Sequence, residues 1–370
     1  MNISYWEYKS WLSHIDFLII GSGIVGLHTA LHLKTRFPSA RIVVLEKGVL
    51  PQGASTKNAG FACFGSISEI VSDIEEHSED MVMQLVQQRW QGLQQLRELL
   101  GDTAIGFKNY GGYEVFLDED ISLFHQCKEK IQQINTLLQP IFGADAFRLS
   151  PNSFQFKQVQ EQYIMSPFES QIDTGKMMQT LLSKVQKLGV TILNGVEVTA
   201  VEEDADGVKV QTATFGLQAK RVLVTTNGFA SQLLQEEVHP ARAQVLITKP
   251  IKDLPIKGTF HVDRGYYYFR NIDNRILLGG GRHLDFKTEE TTAFGQTDLV
   301  QEKLESLLRT TILPNTPYEV EMRWSGIMGV GKQKKPLVKQ MSNHIYCGVR
   351  LGGMGVAIGS AVGKELAELV

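Results

Sequence analysis

Gly21, Gly23 and Gly26, in the run GSGIVG, have the spacing that lets a diphosphate lie against bare backbone. The first glycine permits a tight turn, the second a close approach by the pyrophosphate, and the third close packing of helix on strand. Glu46 stands 20 residues after Gly26 and ends the next apolar run, where a carboxylate accepts ribose hydroxyls. An acid there repels a 2′-phosphate, so NADP is disfavoured. Seven residues further on begins a second chemistry-bearing stretch, GASTKNAGFACFGS (residues 53–66). It reads as neither a helix face nor an alternating strand. Fourteen residues of mostly small side chains suit a planar group lying flat against the main chain.

These residues need elements to hold them. Asp16–Ile20 is a short apolar run of the kind found in a buried parallel strand. The glycine turn leads into the helix LHTALHLKTRF, which stops before Pro38, and Arg41–Glu46 (RIVVLE) is the second strand. A polar, Gln-rich helical stretch runs from about Glu69 to Leu100. Strands around Gly111–Leu117 and a helix over 120–138 follow it. Asp173-Thr174-Gly175 reads as a helix start, with Met177, Leu181, Leu182 and Val185 at helical spacing. Strand candidates follow to RVLVTTNG, then a β-rich aromatic region over 241–281, and a helix at about 297–310. The chain ends in a strand, a glycine-rich turn and a helix (HIYCGVRLGGMGVAIGSAVGKELAELV). Glycine fingerprints alone do not separate NAD from FAD. The C-terminal strand–glycine–helix unit does, because a flavin has to be gripped at both ends. The expected fold is α/β with two domains interleaved along the chain, one carrying the nucleotide-binding features (1–68, 150–238 and 324–370) and one of another kind (69–149 and 239–323).

With these pieces together, the chain resembles the D-amino-acid-oxidase-like (DAO) family of FAD-dependent oxidoreductases, which includes glycine, sarcosine and γ-glutamylputrescine oxidases. The resemblance implies a Rossmann-like FAD-binding domain interleaved with an α+β, mixed-sheet substrate domain, a pyrophosphate turn at Gly21, Gly23 and Gly26, an adenosine-ribose acid at Glu46, and Lys47 beside it. GASTKNAGF is similar to the family's GAS-x-x-N-[AG]-G segment. That implies Ala54 and Ser55 at the pyrophosphate and ribityl chain, and Asn58, Ala59 and Gly60 beside the ring. Val198 resembles the residue whose backbone reads adenine; Thr226, Asn227 and Gly228 resemble the small-residue strand end near the dinucleotide. Gly352, Gly353, Met354 and Gly355 resemble the closing glycine motif, often GHG in the family. A helix starting near Gly355 would aim its positive end at the flavin's pyrimidine side and favour the reduced state. Arg350 either adds a full charge there or is a surface arginine at a strand end.

The family's reaction is oxidation of a C–N bond: hydride passes from the carbon bearing a neutral amine to flavin N5, and the imine hydrolyses. The cofactor carries that chemistry, and no strong base is required. The family alternative is a 2-hydroxy-acid or polyol dehydrogenase; an alternative of another class is a partner-dependent flavoprotein subunit. Amino-acid-oxidising members often carry an arginine in a G-[LF]-R-P pattern that forks onto the substrate carboxylate. Here Gly326 is followed by Ile327 and Met328. Arg264, Arg270 and Arg282, flanking GYYYFR…LLGGG, are the replacements available. Tyr266, Tyr267 and Tyr268 alternate on a strand, so Tyr267 faces opposite to its neighbours. Tyr267, Arg270 and Arg350 are the catalytic candidates, and His261 reads as a strand histidine rather than a base. Residues 324–340 hold no cysteine for a flavin tether, so non-covalent FAD is expected, with Cys63 a small packing residue.

Composition narrows the remaining classes. A chain of 370 residues with net charge −3 offers no electrostatic case for nucleic-acid binding. Lys332, Lys334 and Lys335 read as a solvated loop. Three cysteines (Cys63, Cys127, Cys347) without CxxC spacing give neither a disulfide framework nor a zinc site, so no metal is expected. No stretch of about 18 apolar residues occurs, so no membrane span is expected. A cytoplasmic enzyme is expected, oligomeric or not, acting on a small amine or amino acid with oxygen or a quinone as electron acceptor.

Overall fold

The computed structural model describes residues 2–370. The run DFLII falls in β1 (Ile15–Ile20) and RIVVLE in β2 (Ile42–Glu46), both almost wholly buried. Between them α1 (Ile24–Arg36) starts from Gly23 as its N-cap. After β3 (Phe61–Ala62), the Gln-rich stretch is two helices, α2 (Ile67–Glu76) and α3 (Glu79–Leu100). Ser66 and Ser78 each cap a helix by accepting a backbone N–H, and the Ser78 cap is why the polar stretch breaks in two. Then come β4 (Gly112–Val115), α4 (Ile121–Phe142), β5 (Arg148–Pro151), β6 (Gln162–Ser166) and β7 (Ser170–Gln171). Asp173 caps α5 (Thr174–Lys187) by accepting from the Lys176 N–H.

Next are β8 (Thr191–Asn194), β9 (Val198–Asp204), β10 (Gly207–Thr212) and β11 (Gly216–Val224). They are followed by β12 (His239–Thr248), β13 (Thr259–Val262), β14 (Tyr267–Ile272) and β15 (Arg275–Gly280). The chain closes with α6 (Asp298–Leu307), β16 (Val320–Val330), β17 (Leu337–Gln340), β18 (Ile345–Val349) and α7 (Gly355–Glu368).

Among the described residues the strands form two eight-stranded sheets and a β3–β7 ribbon. The first runs β17-β18-β11-β1-β2-β8, with β9 and β10 folded onto β11. From β18 to β8 its neighbours are parallel. The second runs β16-β12-β15-β14-β13-β4-β6-β5, antiparallel apart from β4 against β13. The mixed α/β expectation holds. The sheets change hands elsewhere than at residues 150 and 324: β5 and β6 lie in the second sheet, and β16 crosses residue 324 without leaving it.

Three helices cross almost in backbone contact. A Cβ on Gly92 of α3 would fall 2.3 Å from the Ala357 carbonyl of α7, and one on Gly363 of α7 2.5 Å from His28 Cβ of α1. Thr29 Oγ1 donates to the Gly363 carbonyl at 3.2 Å. Such close packing leaves the helices little freedom to slide. It fixes the N-termini of α1 and α7 on the same cavity.

Candidate active site

That cavity has a volume of about 590 Å³, within the range of small-molecule and cofactor clefts. Its first end is built on backbone. Gly21 and Gly23 line it, and a Cβ on Gly23 would come within 2.9 Å of Ser55 Oγ, itself the acceptor of the Ile24 N–H at 2.9 Å. Gly26 is not on the wall: its Cβ would sit 2.0 Å from the Gly21 carbonyl, so it sets the helix–turn contact. The buried Glu46 carboxylate accepts from Ser22 N–H and Ser22 Oγ through Oε2, and from the Gly48 and Gln52 N–H groups through Oε1. These donors fix its orientation at the strand end, as a ribose-reading acid requires. Val198 also lines this end, beside Glu197, whose carboxylate pairs with Lys47 at 2.7 Å.

The GASTKNAG segment continues the wall through Ala54, Ser55, Lys57, Asn58, Ala59 and Gly60. Asn58 organises it: its Nδ2 donates to the Ser55 carbonyl at 2.8 Å, and its Oδ1 accepts from Gly60 N–H and Thr174 Oγ1, both at 2.9 Å. Trp324 Nε1 ties the second sheet to the segment by donating to the Lys57 carbonyl at 2.9 Å. Thr226 and Asn227 line the cavity too, and Asn227 Oδ1 accepts from the Arg350 and Leu351 N–H groups. Gly228 instead makes room for the second sheet, since a Cβ there would meet the Met328 carbonyl at 2.5 Å. Gly352, Gly353, Met354 and Gly355 close the far side at the start of α7.

The three catalytic candidates lie off the cavity wall. Tyr267 points into the second sheet's apolar core, its hydroxyl buried without a partner and its ionisation pushed up to about 12 by burial. Strand parity brings Tyr268 to the cavity instead, and Tyr266 lines it as well. Arg270 lies behind Gly60, whose Cβ would fall 2.7 Å from Nη2; its Nε and Nη1 are buried without partners. Arg350 is buried rather than a surface residue: its Nε donates to the Lys335 carbonyl at 3.2 Å and its Nη1 to the Glu237 carbonyl at 3.4 Å. It therefore braces the loop around Lys334.

The redox end brings together residues that no sequence motif marks. His261 lines the cavity, and its Nε2 lies 2.9 Å from Glu169 Oε2, with both side chains buried. Burial, the largest single influence, disfavours a charged imidazole. The Glu169 charge and hydrogen bond, helped by Glu69 and Glu114, outweigh it and raise the histidine to about 9. Glu114 accepts from Ser68 N–H at 2.9 Å and from Ser68 Oγ, while burial lifts it to about 7. Cys63 also lines the cavity, 4.0 Å from Met354 Sδ, and burial holds its thiol protonated. The ligand-type atoms of Cys63, Glu169 and His261 lie within 4.8 Å of one another, and the His261–Glu169 ion pair accounts for part of that approach. On the facing helix Asp73 takes Lys334 as its partner.

The family model described as FAD dependent oxidoreductase matches residues 16–369. This chain belongs to the DAO family of FAD-dependent oxidoreductases. The γ-glutamylputrescine oxidoreductase of Escherichia coli K12 is 24% identical, over 96% of this chain and 83% of its own. Two solved structures share the fold. L-proline dehydrogenase from P. horikoshii has a TM-score of 0.75 at 18% identity, covering 96% of this chain and 92% of that one. Glycine oxidase from Geobacillus kaustophilus has a TM-score of 0.74 at 17% identity, covering 96% and 94%. The donors around Glu46 and the glycine-lined wall fit the family's cofactor. Among the described residues, no helix is long and apolar enough to cross a membrane.

Proposed function

We propose that this protein oxidises the C–N bond of a small amine or amino acid, with FAD taking up hydride and the resulting imine hydrolysing. The observation that carries this reading is the continuity of the cavity. The backbone-lined cofactor wall runs without a break into Phe61, Val245, Tyr268 and Met328, largely on the second sheet. A substrate carbon held against that apolar wall lies next to the segment from Asn58 to Gly60. Bound there, FAD supplies the two-electron acceptor; the protein positions the carbon and excludes water. The names of the relatives, which include amine- and amino-acid-acting enzymes, point the same way.

Where amino-acid-oxidising members carry arginine, Ile327 and Met328 line this cavity. Arg282 is the arginine best placed to meet a substrate carboxylate. It lines the cavity beside Tyr266 and stacks on Phe286 at 4.9 Å, with no carboxylate at ion-pair distance among the described residues. Non-covalent attachment is the reading supported at the ring end, where burial keeps the Cys63 thiol protonated and therefore poorly nucleophilic. The test is anaerobic bleaching of the purified flavoprotein by a panel of amines, amino acids and 2-hydroxy acids. Bleaching by amines or amino acids is expected, with the flavin released by acid precipitation. Bleaching by hydroxy acids alone would overturn the reading, and colour retained in the acid pellet would overturn non-covalent attachment.

A further inference from the structure

We infer that His261, clamped by Glu169, is a catalytic residue that takes the proton from the substrate's ammonium group before hydride leaves the carbon. The inference rests on the amine reading above and assigns that reading's proton step. Three observations carry it. His261 is on the wall at the redox end, one strand from Glu114 and two from Gly279, in the cross-sheet row Glu114–His261–Tyr268–Gly279. Glu169 fixes its Nε2 side, the arrangement by which a carboxylate orients an imidazole and stabilises its protonated form. Glu169 Oε1 is buried and has no partner, so the carboxylate keeps capacity for one more donor at this place.

The groups facing the imidazole from the surrounding elements are acidic or neutral. They are Glu169 before β7, Glu114 on β4, Glu69 on α2, Tyr268 on β14 and the Cys63 thiol after β3, with the buried Arg89 guanidinium on α3 lining the same cavity and offsetting part of the Glu69 and Asp73 charge. An acidic surround favours a cation, which the substrate ammonium and the protonated imidazole can each supply, though not both at once in one small space. Their affinities are matched: the imidazole holds its proton to about pH 9 and an alkylammonium to about pH 10. One proton is then shared between them. Its transfer to the imidazole leaves a neutral amine. The C–H bond breaks as hydride passes to oxidised FAD, the nitrogen lone pair forms C=N, and the cation is now an iminium. The imidazole returns its proton to solvent.

A shared proton predicts a bell-shaped pH profile. The reacting pair carries one proton between two groups, so the second-order rate constant for flavin bleaching rises below pH 9 and falls above the amine's own range. The experiment uses the holoenzyme, from pH 6 to 11, with the amine that bleaches best in the panel. His261→Gln should lower the maximum by about 100-fold, a usual size for acid–base catalysis, and replace the limb near pH 9 by a rise that follows the amine's own ionisation. Glu169→Gln keeps the imidazole and should move its limb to lower pH. Without substrate, nitrogen-15 NMR of the holoenzyme should show one imidazole titrating near pH 9, lost in His261→Gln and lowered in Glu169→Gln. A wild-type profile in His261→Gln would overturn the inference; if that variant holds no FAD, an unmoved limb and an unmoved imidazole in Glu169→Gln would do so. Absence of bleaching by every amine would sink the functional reading itself, and this inference with it.

Discussion

The two ends of the cavity are built from different materials. At the dinucleotide end the working groups are mostly backbone N–H groups and glycine gaps, with Glu46 as the acid they hold, and the turn, Glu46 and the 53–60 segment lie close together in sequence, joined from further along by Glu197 and Val198. At the redox end the working groups are side chains drawn from β4, β13, β14, the loop before β7 and α2. A backbone site tolerates almost no added atoms, whereas a side-chain site can yield, because its walls are rotamers.

Matched glycine substitutions break this comparison most sharply. In Gly26→Val the new Cβ would lie 2.0 Å from the Gly21 carbonyl and 2.7 Å from Thr225 Oγ1, so the turn itself must move. Overpacking of this kind costs about 1–3 kcal/mol or more. The variant should purify with less than about a tenth of the wild-type flavin absorbance and a lowered melting temperature. In Gly279→Ala the Cβ would meet the Tyr268 ring at 2.6 Å, a side chain that can swing aside. That variant should keep its flavin and show an altered flavin spectrum and slower bleaching. Equal flavin loss in both would erase the distinction between the two ends.

The same difference decides what could be read from sequence. Gly21, Gly23, Glu46 and the 53–60 segment are legible because a diphosphate and a planar ring impose fixed spacings on one short piece of chain. Gly26 and Gly228 are found by the same patterns, although their task is packing. Glu169 and Glu114 carry no local signal: they meet His261 only through the order of strands in the second sheet and a loop that returns to it. His261 itself reads as an ordinary strand residue, since one side chain facing a cavity looks like any other on an alternating strand. The tyrosine run shows the limit of parity. Alternation separates Tyr267 from its neighbours without telling which face meets the cavity.

Acidity gives a second, smaller contrast. At the redox end two groups have their proton affinity raised in the folded chain to values below pH 10, Glu114 to about 7 and His261 to about 9. For each, the folded state binds the proton more tightly than the unfolded chain. Their contribution is therefore present at low pH and lost as pH rises, between about 4.5 and 7 for Glu114 and between 6.5 and 9 for His261. Each window corresponds to a few kcal/mol at most. The melting temperature should fall from pH 5 to pH 9. Glu114→Gln, which cannot ionise, should flatten the part below pH 7 and leave the upper part in place. A wild-type slope below pH 7 in that variant would show that Glu114 is not the titrating group.

The smallest effect separates the two faces of β14. Tyr267 and Tyr268 are adjacent, and burial raises both hydroxyls to about 12, yet only Tyr268 lines the cavity. The Tyr267 hydroxyl is buried without a hydrogen-bond partner among Leu278, Val300 and the other core residues of that sheet. An unpartnered buried hydroxyl costs free energy, so Tyr267→Phe removes a penalty and leaves the ring's packing in place. Stability should stay level or rise by up to about 1 kcal/mol, with flavin content and bleaching rate unchanged. Tyr268→Phe removes a hydroxyl at the redox end and should change the bleaching rate several-fold at constant flavin content. If Tyr267→Phe slowed bleaching and Tyr268→Phe did not, the cavity would have to lie on the other face of the sheet, and the division between a backbone-built and a side-chain-built end would have to be redrawn.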